Sequence, residues 1–460
     1  MMGTVHAKEM EGHSQMDNPA PRKRSIDFKQ PAKVQRVLIE GLVRTKEDFL
    51  ISKIQDTFKA ENFEEVVRQC VESKSQLQEL GIFKTVKITV DTSKAPGASA
   101  SDYEVKFTVE EKRFEGGVHT AAGNNDLETS LTMGLNNLFG RGEKLSARYA
   151  HTRNFRNRKN NQAHVHFTKP LNGNPNVRLV LGGYSTNTDV LLSGYKEASK
   201  GIQAAFTFPS TVGSHNIQWD GVWRDLRALS RTTPFPIREQ AGHTLKSSIQ
   251  HTVTTDTRDD KILPHEGFLL KAVQEYAGLG GNVEFVKLNT ELQLNKEILP
   301  YIVVQLSAAC GTMWGLGKEK RVTINDKFFL GGPLTLRGFH DRGVGPHVEG
   351  NALGTDAYWL CAAHVYTPLP FKPGLGGFGD FFRSHAFVNV GNVGAVELDK
   401  SLKENIEQLS EEFRLAYGLG LVLKLGNIAR MELNYVVPVR FMNGDCVNPG
   451  IQFGVGMTFL

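Results

Sequence analysis

The feature that most constrains the fold of this 460-residue chain is the alternation of apolar and polar residues in its carboxyl-terminal part. In 286–294, leucine and valine share one face of an extended chain, while lysine, asparagine, glutamate and glutamine share the other. Similar alternation recurs in 415–425, 429–437 and 451–459. A period of two is the geometry of a β-strand whose two faces meet different surroundings.

Two architectures satisfy this pattern: a soluble sandwich with its apolar face inside, and a membrane barrel with its apolar face toward lipid. The second is favoured because the opposite faces carry charged and amide side chains beside many glycines. Of the 46 glycines, 41 follow residue 113. No apolar run approaches the roughly 18–20 residues of a membrane-spanning helix. We therefore predict an all-β transmembrane barrel of about 16 antiparallel strands over 114–460.

The residues before the barrel read differently. Residues 1–32 are polar and proline-containing, so we expect a flexible tail. Residues 33–113 follow a β-α-α-β-β pattern, which predicts a small α+β domain. Thr45 and Asn62 each precede an acidic residue by three positions and are predicted to cap the two helices. A further amphipathic segment, 401–414, predicts a helix in a loop outside the membrane.

The most specific motif is Leu336-Arg337-Gly338-Phe339, which follows the segment FFLGGP. A guanidinium in a partly dry lumen needs an acid or several acceptors, and glycine allows the backbone to turn tightly beside it. The motif resembles the (V/I)RG(F/Y) signature of the outer-membrane protein assembly superfamily. There it lies at the tip of the sixth long loop, which folds back into the barrel.

In that superfamily the arginine meets an aspartate of an (F/G)xDxG strand motif. The matching segment here is FVNVG, with Asn389 at the position of the acid. Because asparagine cannot form an ion pair, the resemblance leaves open whether Arg337 binds another acid or carbonyl groups.

The last strand, 451–460, is predicted to direct Ile451, Phe453, Val455, Met457 and Phe459 outward. Its pattern of a polar residue, a glycine and two hydrophobic residues is formed by Gln452, Gly454, Met457 and Phe459. This resembles the β-signal of mitochondrial outer-membrane barrels. The first barrel strand is expected near Gly117–Ala122.

No motif predicts an enzyme or a cofactor. The GxGxxG match at 374–379 lacks the strand before it and the helix after it that a phosphate-binding loop requires. His164 and His166 are separated by one residue and are better explained as a pair facing the lumen than as metal ligands. The balanced charge, +5 from 54 basic and 49 acidic residues, argues against a nucleic-acid binder.

Taken together, residues 33–460 resemble the barrel subunits of the metazoan mitochondrial sorting and assembly machinery, which carry one polypeptide-transport-associated (POTRA) domain. Besides LRGF, the resemblance includes ILPHEGFLLK, YTPLPFKPG and LGNIARMELNY. It implies an integral protein of the mitochondrial outer membrane, with the small domain in the intermembrane space.

The resemblance also implies a function. Such a protein would insert and fold precursor β-barrels by templating their strands at an openable seam between its first and last strands. The implied partners are precursor barrels, accessory subunits, membrane lipid and the inner-membrane contact-site complex that organises cristae. The main alternative is a passive metabolite porin; a barrel enzyme and a soluble binding sandwich are weaker alternatives.

Overall fold

A computed structural model describes residues 30–460 except 100, 123–125, 155–158, 172, 317–321, 370–377, 397–400, 427–428, 457–458 and 460. Most of the predicted tail, residues 1–29, thus lies outside the described residues. Among the described residues, no helix is both long enough and apolar enough to cross a membrane.

The amino-terminal part is a three-stranded sheet covered by two helices. The strand Asp102–Glu111 lies in the centre, parallel to Lys33–Glu40 and antiparallel to Phe83–Thr92. Asn62 caps the second helix as predicted, since its side chain accepts a hydrogen bond from the Glu65 amide at 2.8 Å. The elements are β1 (Lys33–Glu40), α1 (Glu47–Ile54), α2 (Phe63–Glu79), β2 (Phe83–Thr92) and β3 (Asp102–Glu111).

The rest of the chain forms one sheet of 16 strands with antiparallel neighbours, as the alternation predicted. The first eleven strands are β4 (Phe114–Ala122), β5 (Asp126–Asn136), β6 (Lys144–Asn154), β7 (Lys159–Leu171), β8 (Asn174–Val190), β9 (Tyr195–Pro209), β10 (Ser214–Ala228), β11 (Gly242–Asp256), β12 (Gly267–Gly281), β13 (Phe285–Leu299) and β14 (Ile302–Gly315). A four-residue helix, α3 (Phe235–Arg238), lies between β10 and β11.

The long loop that follows contains a short hairpin whose two strands have two residues each, and the sheet then continues. The remaining elements are β15 (His347–Val348), β16 (Asn351–Ala352), β17 (Ala357–Pro368), β18 (Phe382–Gly394), α4 (Leu402–Glu411), β19 (Arg414–Leu425), β20 (Ala429–Arg440) and β21 (Gly450–Gly456). Strands β14 and β17 are neighbours in the sheet, and Ser401 begins α4 with a capping box.

The apolar face of the sheet points outward. On β20, Leu433 and Tyr435 are exposed, whereas Glu432 and Asn434 beside them are buried. A soluble sandwich would show the reverse, because its apolar face would be buried. The outward apolar surface is therefore the surface that a membrane barrel presents to lipid.

The barrel has two distinct mouths. The small domain precedes β4, so we call the end where β4 begins the domain-side mouth and the opposite end the far mouth. Three of the longest connections, 229–241, 316–356 and 395–413, lie at the far mouth. The longest domain-side connections are 257–266 and 369–381.

The small domain contacts the barrel at the turn between β5 and β6. The Lys46 backbone amide donates to the Gly140 carbonyl at 2.9 Å, and the Asn137 side-chain Nδ2 donates to the Thr45 hydroxyl at 2.7 Å. Gly140 has φ +89°, and a Cβ there would lie 2.4 Å from the Arg44 carbonyl oxygen. Only glycine therefore allows this close approach of the two backbones.

Thr45 does not cap α1, so that prediction is wrong. The N-cap of α1 is Lys46, and it makes no side-chain cap. The Thr45 hydroxyl instead donates to Glu111 Oε1 at 2.6 Å. Glu111 also accepts the amides of Val43, Arg44 and Thr45 at 2.9 to 3.2 Å. One carboxylate thus holds the loop that touches the barrel.

We predict that Glu111→Gln loosens this junction. Burial opposes the charge, but the hydrogen bonds from Thr45, Val43 and Arg44 outweigh it and lower the pKa of Glu111. A carboxyl group whose pKa is lowered by folding stabilises the folded state above its pKa in the unfolded chain, which is about 4.3 for glutamate. That stabilisation is lost as the pH falls through the pKa of the group in the folded protein. The protection factors of the 43–45 amides, which compare the intrinsic with the observed exchange rate at the same pH, should therefore fall in the variant at neutral pH and in the parent on acidification.

The matched control is Glu110→Gln. Glu110 is exposed, and its carboxylate pairs with Lys84 Nζ at 3.0 Å. Exchange at 43–45 should be unchanged in that variant, and equal acceleration in both would contradict the assigned role of Glu111.

Candidate functional site

Residues 322–356 of the long loop 316–356 fold into the lumen from the far mouth. On one wall, Asp326 pairs with Arg224 Nη1 of β10 at 2.8 Å and with Lys246 Nζ of β11 at 3.1 Å. Near the same wall, Ile324 is buried in an apolar cluster with Tyr195. This part of the loop is therefore attached to the middle strands of the barrel.

The LRGF motif attaches the same loop to the opposite wall. Arg337 is fully buried, and its Nη2 lies 2.9 Å from Oε2 of Glu432 on β20. Its Nε donates to the same oxygen at 3.2 Å. The acid that pairs with Arg337 is therefore on β20. Asn389 is on β18, two strands away in the sheet.

Glu432 is the centre of a larger buried group. Its Oε2 also accepts a hydrogen bond from Asn434 at 3.0 Å, and its Oε1 lies 3.1 Å from Arg430 Nη2. Two buried guanidinium groups thus share one carboxylate. Removing one partner from such a pair typically costs about 3–5 kcal/mol, because a charge remains buried without compensation.

Asn389 contacts the motif through the backbone. Its side-chain amide donates to the Arg337 carbonyl oxygen at 3.2 Å. Gly338 follows with φ +93°, and a Cβ at this position would lie 3.0 Å from the Ala416 Cβ. The asparagine therefore supports the turn, while Glu432 carries the charge pairing.

The two apolar residues of the motif pack away from the charge. Leu336 and Phe339 are fully buried in one cluster that includes Leu330 of the same loop and Leu360 of β17. Burying a large apolar side chain contributes about 1.5–3 kcal/mol. The motif thus combines an ionic anchor with an apolar one.

The terminal strand is tied to the same motif. The Gln452 side chain accepts a hydrogen bond from the Gly338 amide at 3.1 Å and donates to the Asn448 carbonyl at 2.9 Å. Gly454 also faces the loop, since a Cβ there would lie 3.4 Å from Pro333. Met457, the next position of the predicted signal, lies outside the described residues.

Phe459 does not point outward, so that prediction is wrong. Its side chain is buried, and its ring lies 4.3 Å from Arg430 Cζ and 5.6 Å from Arg337 Cζ. Both guanidinium groups are close enough for cation–π attraction. Space for the ring exists because Gly454 has no side chain; a Cβ there would lie 3.0 Å from Phe459.

Gly117 and Ala122 lie on β4, as expected. A Cβ on Gly117 would lie 3.0 Å from Nε2 of His119, so this glycine makes room for an imidazole. Strands β4 and β21 are the two ends of the sheet order, and no ladder joins them among the described residues.

Sequence reasoning missed Glu432 as the partner of Arg337. Its signal is visible in the sequence, because Arg430, Glu432 and Asn434 share the polar face of one alternating strand. Within the described residues, no three or more His, Cys, Asp or Glu side chains are grouped to hold a metal ion.

Comparison with known proteins identifies the family. Residues 137–459 match the Omp85 superfamily domain. The chain is 40% identical over 475 residues to the sorting and assembly machinery component 50 homologue of Xenopus tropicalis, with both chains fully covered. The human homologue gives the same identity and coverage. This chain belongs to the metazoan sorting and assembly machinery component 50 family.

The fold comparison agrees. BamA from Haemophilus ducreyi, solved without its POTRA domains 1–3, superposes with a TM-score of 0.72 at 16% identity. The alignment covers 94% of this chain and 86% of the BamA chain. This likeness confirms the predicted barrel fold, and the domain match assigns the barrel to the Omp85 superfamily.

We predict that Glu432→Gln releases the LRGF motif. Arg337 would remain buried beside a neutral acceptor. The free energy that holds the loop in the lumen should therefore become less favourable by about 3–5 kcal/mol. Limited proteolysis or hydrogen exchange of 328–346 would measure the release.

Glu291→Gln is the control for this change. Glu291 also faces the lumen, but its ion pair is with Lys271 on the adjacent strand, at 4.0 Å. Loop protection unchanged in both variants would show that Glu432 does not hold the motif.

Proposed function

We propose that this protein inserts and folds precursor β-barrels into the mitochondrial outer membrane. The observation that carries the proposal is the order of the sheet, in which β4 and β21 are the two terminal strands of the barrel. Its family membership supports the same function, since its relatives are components of a sorting and assembly machinery.

The physical need for such a protein follows from the bilayer. A strand entering lipid carries amide and carbonyl groups that cost several kcal/mol each when they are unpaired. A separable seam offers a backbone edge with which an incoming strand pairs. The precursor's terminal strand would pair with β4, and each following hairpin would then extend the new sheet.

We call the buried group of Arg337, Arg430 and Glu432 the lock. It would keep the strands beside the seam aligned during this exchange. Gln452 of β21 holds Gly338, and Arg337 holds Glu432 of β20. The last two strands are therefore attached to a loop that is also fixed to β10 and β11. We infer that the seam strands can part while the barrel wall behind them stays aligned.

A passive porin is the alternative, and the occupied lumen argues against it. Loop 316–356 reaches both walls through buried ion pairs, whereas a metabolite pore needs an open aqueous lumen. Steady ion conductance of the purified protein would favour the porin.

The partners and topology are proposed from family membership. We infer that the small domain faces the intermembrane space, and that accessory sorting-and-assembly subunits bind the complex. We also infer association with the inner-membrane contact-site complex and thus a role in cristae organisation. If pull-downs from intact mitochondria do not recover the contact-site complex with this protein, this last inference is contradicted and the insertion role is unaffected.

Arg337→Ala should impair the assembly of other barrels. The change removes the guanidinium that fixes the loop to β20, and Glu432 would then be left with Arg430. Import of a radiolabelled porin precursor into mitochondria carrying the variant should yield less assembled complex at equal import. Normal porin assembly would count against the proposed role of the loop.

Cysteines placed across the seam should crosslink. We suggest Gly116, Val118 or Thr120 of β4, each combined with Ile451, Phe453 or Val455 of β21. At least one register should form a disulfide on oxidation, and bound precursor should reduce its yield. Absence of crosslinks in every combination would argue against β4 and β21 as neighbours.

A further inference from the structure

The connection between β11 and β12, residues 257–266, lies at the domain-side mouth and turns into the lumen. We call it the strap. Ile262 and Leu263 at its centre are buried, although a short turn at a barrel rim would normally be exposed. Its ends belong to the eighth and ninth strands of the sheet, and its contacts reach the fourteenth and fifteenth, β19 and β20. The strap therefore crosses the mouth.

The strap is held in one shape by its own acids. Asp259 Oδ1 accepts the amides of His265 and Glu266 at 2.9 and 3.2 Å. Asp260 Oδ1 accepts the amides of Ile262 and Leu263 at 2.8 and 3.2 Å. A segment ordered in this way can move as a unit about its ends.

The strap rests on the opposite wall through one ionic, one polar and one apolar contact. Asp260 Oδ2 pairs with Lys424 Nζ of β19. The Ile262 carbonyl accepts a hydrogen bond from Arg430 Nη1 of β20 at 3.4 Å. Leu263 packs with Val303, Tyr366 and Val422.

This contact surface is also part of the lock described above. Arg430 touches the strap on one side and Glu432 on the other, and Glu432 pairs with Arg337. Two loops that enter from opposite mouths therefore meet on β20, the strand that pairs with the terminal strand.

We propose that the strap is a lid that closes the domain-side mouth of the lumen and opens by releasing its contacts with β19 and β20. Its two ends stay in the sheet, so release would swing the centre away from Val303 and Tyr366. The closing of the mouth stands apart from the proposed insertion activity, and its test does not measure insertion.

The test is the rate at which a thiol under the lid reacts. Full-length protein in nanodiscs would carry Val303→Cys, with the four native cysteines replaced by alanine. Val303 is 5% exposed beneath Leu263, so a charged thiol reagent should reach the introduced thiol only when the lid opens. Ser210→Cys, in an exposed turn at the same mouth, gives the rate for free access.

Lys424→Gln removes the ionic contact and should accelerate labelling of the thiol at position 303 by about fivefold, the shift expected for one partly exposed ion pair. Lys271→Gln is the matched control. Lys271 belongs to β12 and pairs with Glu291 of the adjacent strand, so its loss removes the same charge without touching the strap. Labelling at position 303 in this control should match the parent.

Leu263→Asn provides an independent variant, because it removes the apolar contact and leaves Lys424 in place. It should accelerate labelling by about tenfold or more. Heat-modifiable mobility of each variant in gels would show that the barrel is folded. Equal rates in the Lys424 and Lys271 variants would overturn the proposal. Labelling at position 303 in the parent as fast as labelling at position 210 would also overturn it.

Discussion

A buried carboxylate shared by two buried guanidinium groups is the interaction on which the interior of this barrel depends. Glu432 pairs with Arg337 from the long loop and with Arg430 from its own strand. Burying charge is unfavourable unless partners and hydrogen bonds compensate for it, and removing one partner costs more than the pair contributes. The motif therefore stays in place, because its release would leave a charge buried without a partner.

The lock sits beside the least connected part of the sheet. Each inner strand has two neighbours, but β4 and β21 each have one among the described residues. Gln452 and Phe459 direct the end of the chain toward the loop motif. The end of the chain is thus attached to the loop motif inside the barrel.

Much of the fold could be predicted because the membrane imposes a local rule. Residues such as Leu433 and Tyr435 alternate with Glu432 and Asn434, and the structure places the first pair outside and the second pair inside. Two predictions failed for a common reason. Thr45 was predicted to cap a helix but binds Glu111. Phe459 was predicted to point outward but lies beside Arg430 inside the barrel. In both cases a partner distant in the sequence offered a stronger contact than the local pattern did.

The sequence by itself determined the barrel class, the small domain before it, and the presence of an arginine that must be satisfied inside. These follow from period, composition and short motifs, which are local properties of the chain. Only the tertiary structure decided which residue pairs with Arg337. The partner is Glu432, 95 residues away, and not the residue at position 389, which is an asparagine. The tertiary structure also decided that residues 257–266 cross the mouth to reach Lys424. Such pairings depend on the register and curvature of 16 strands together, and no single strand encodes them.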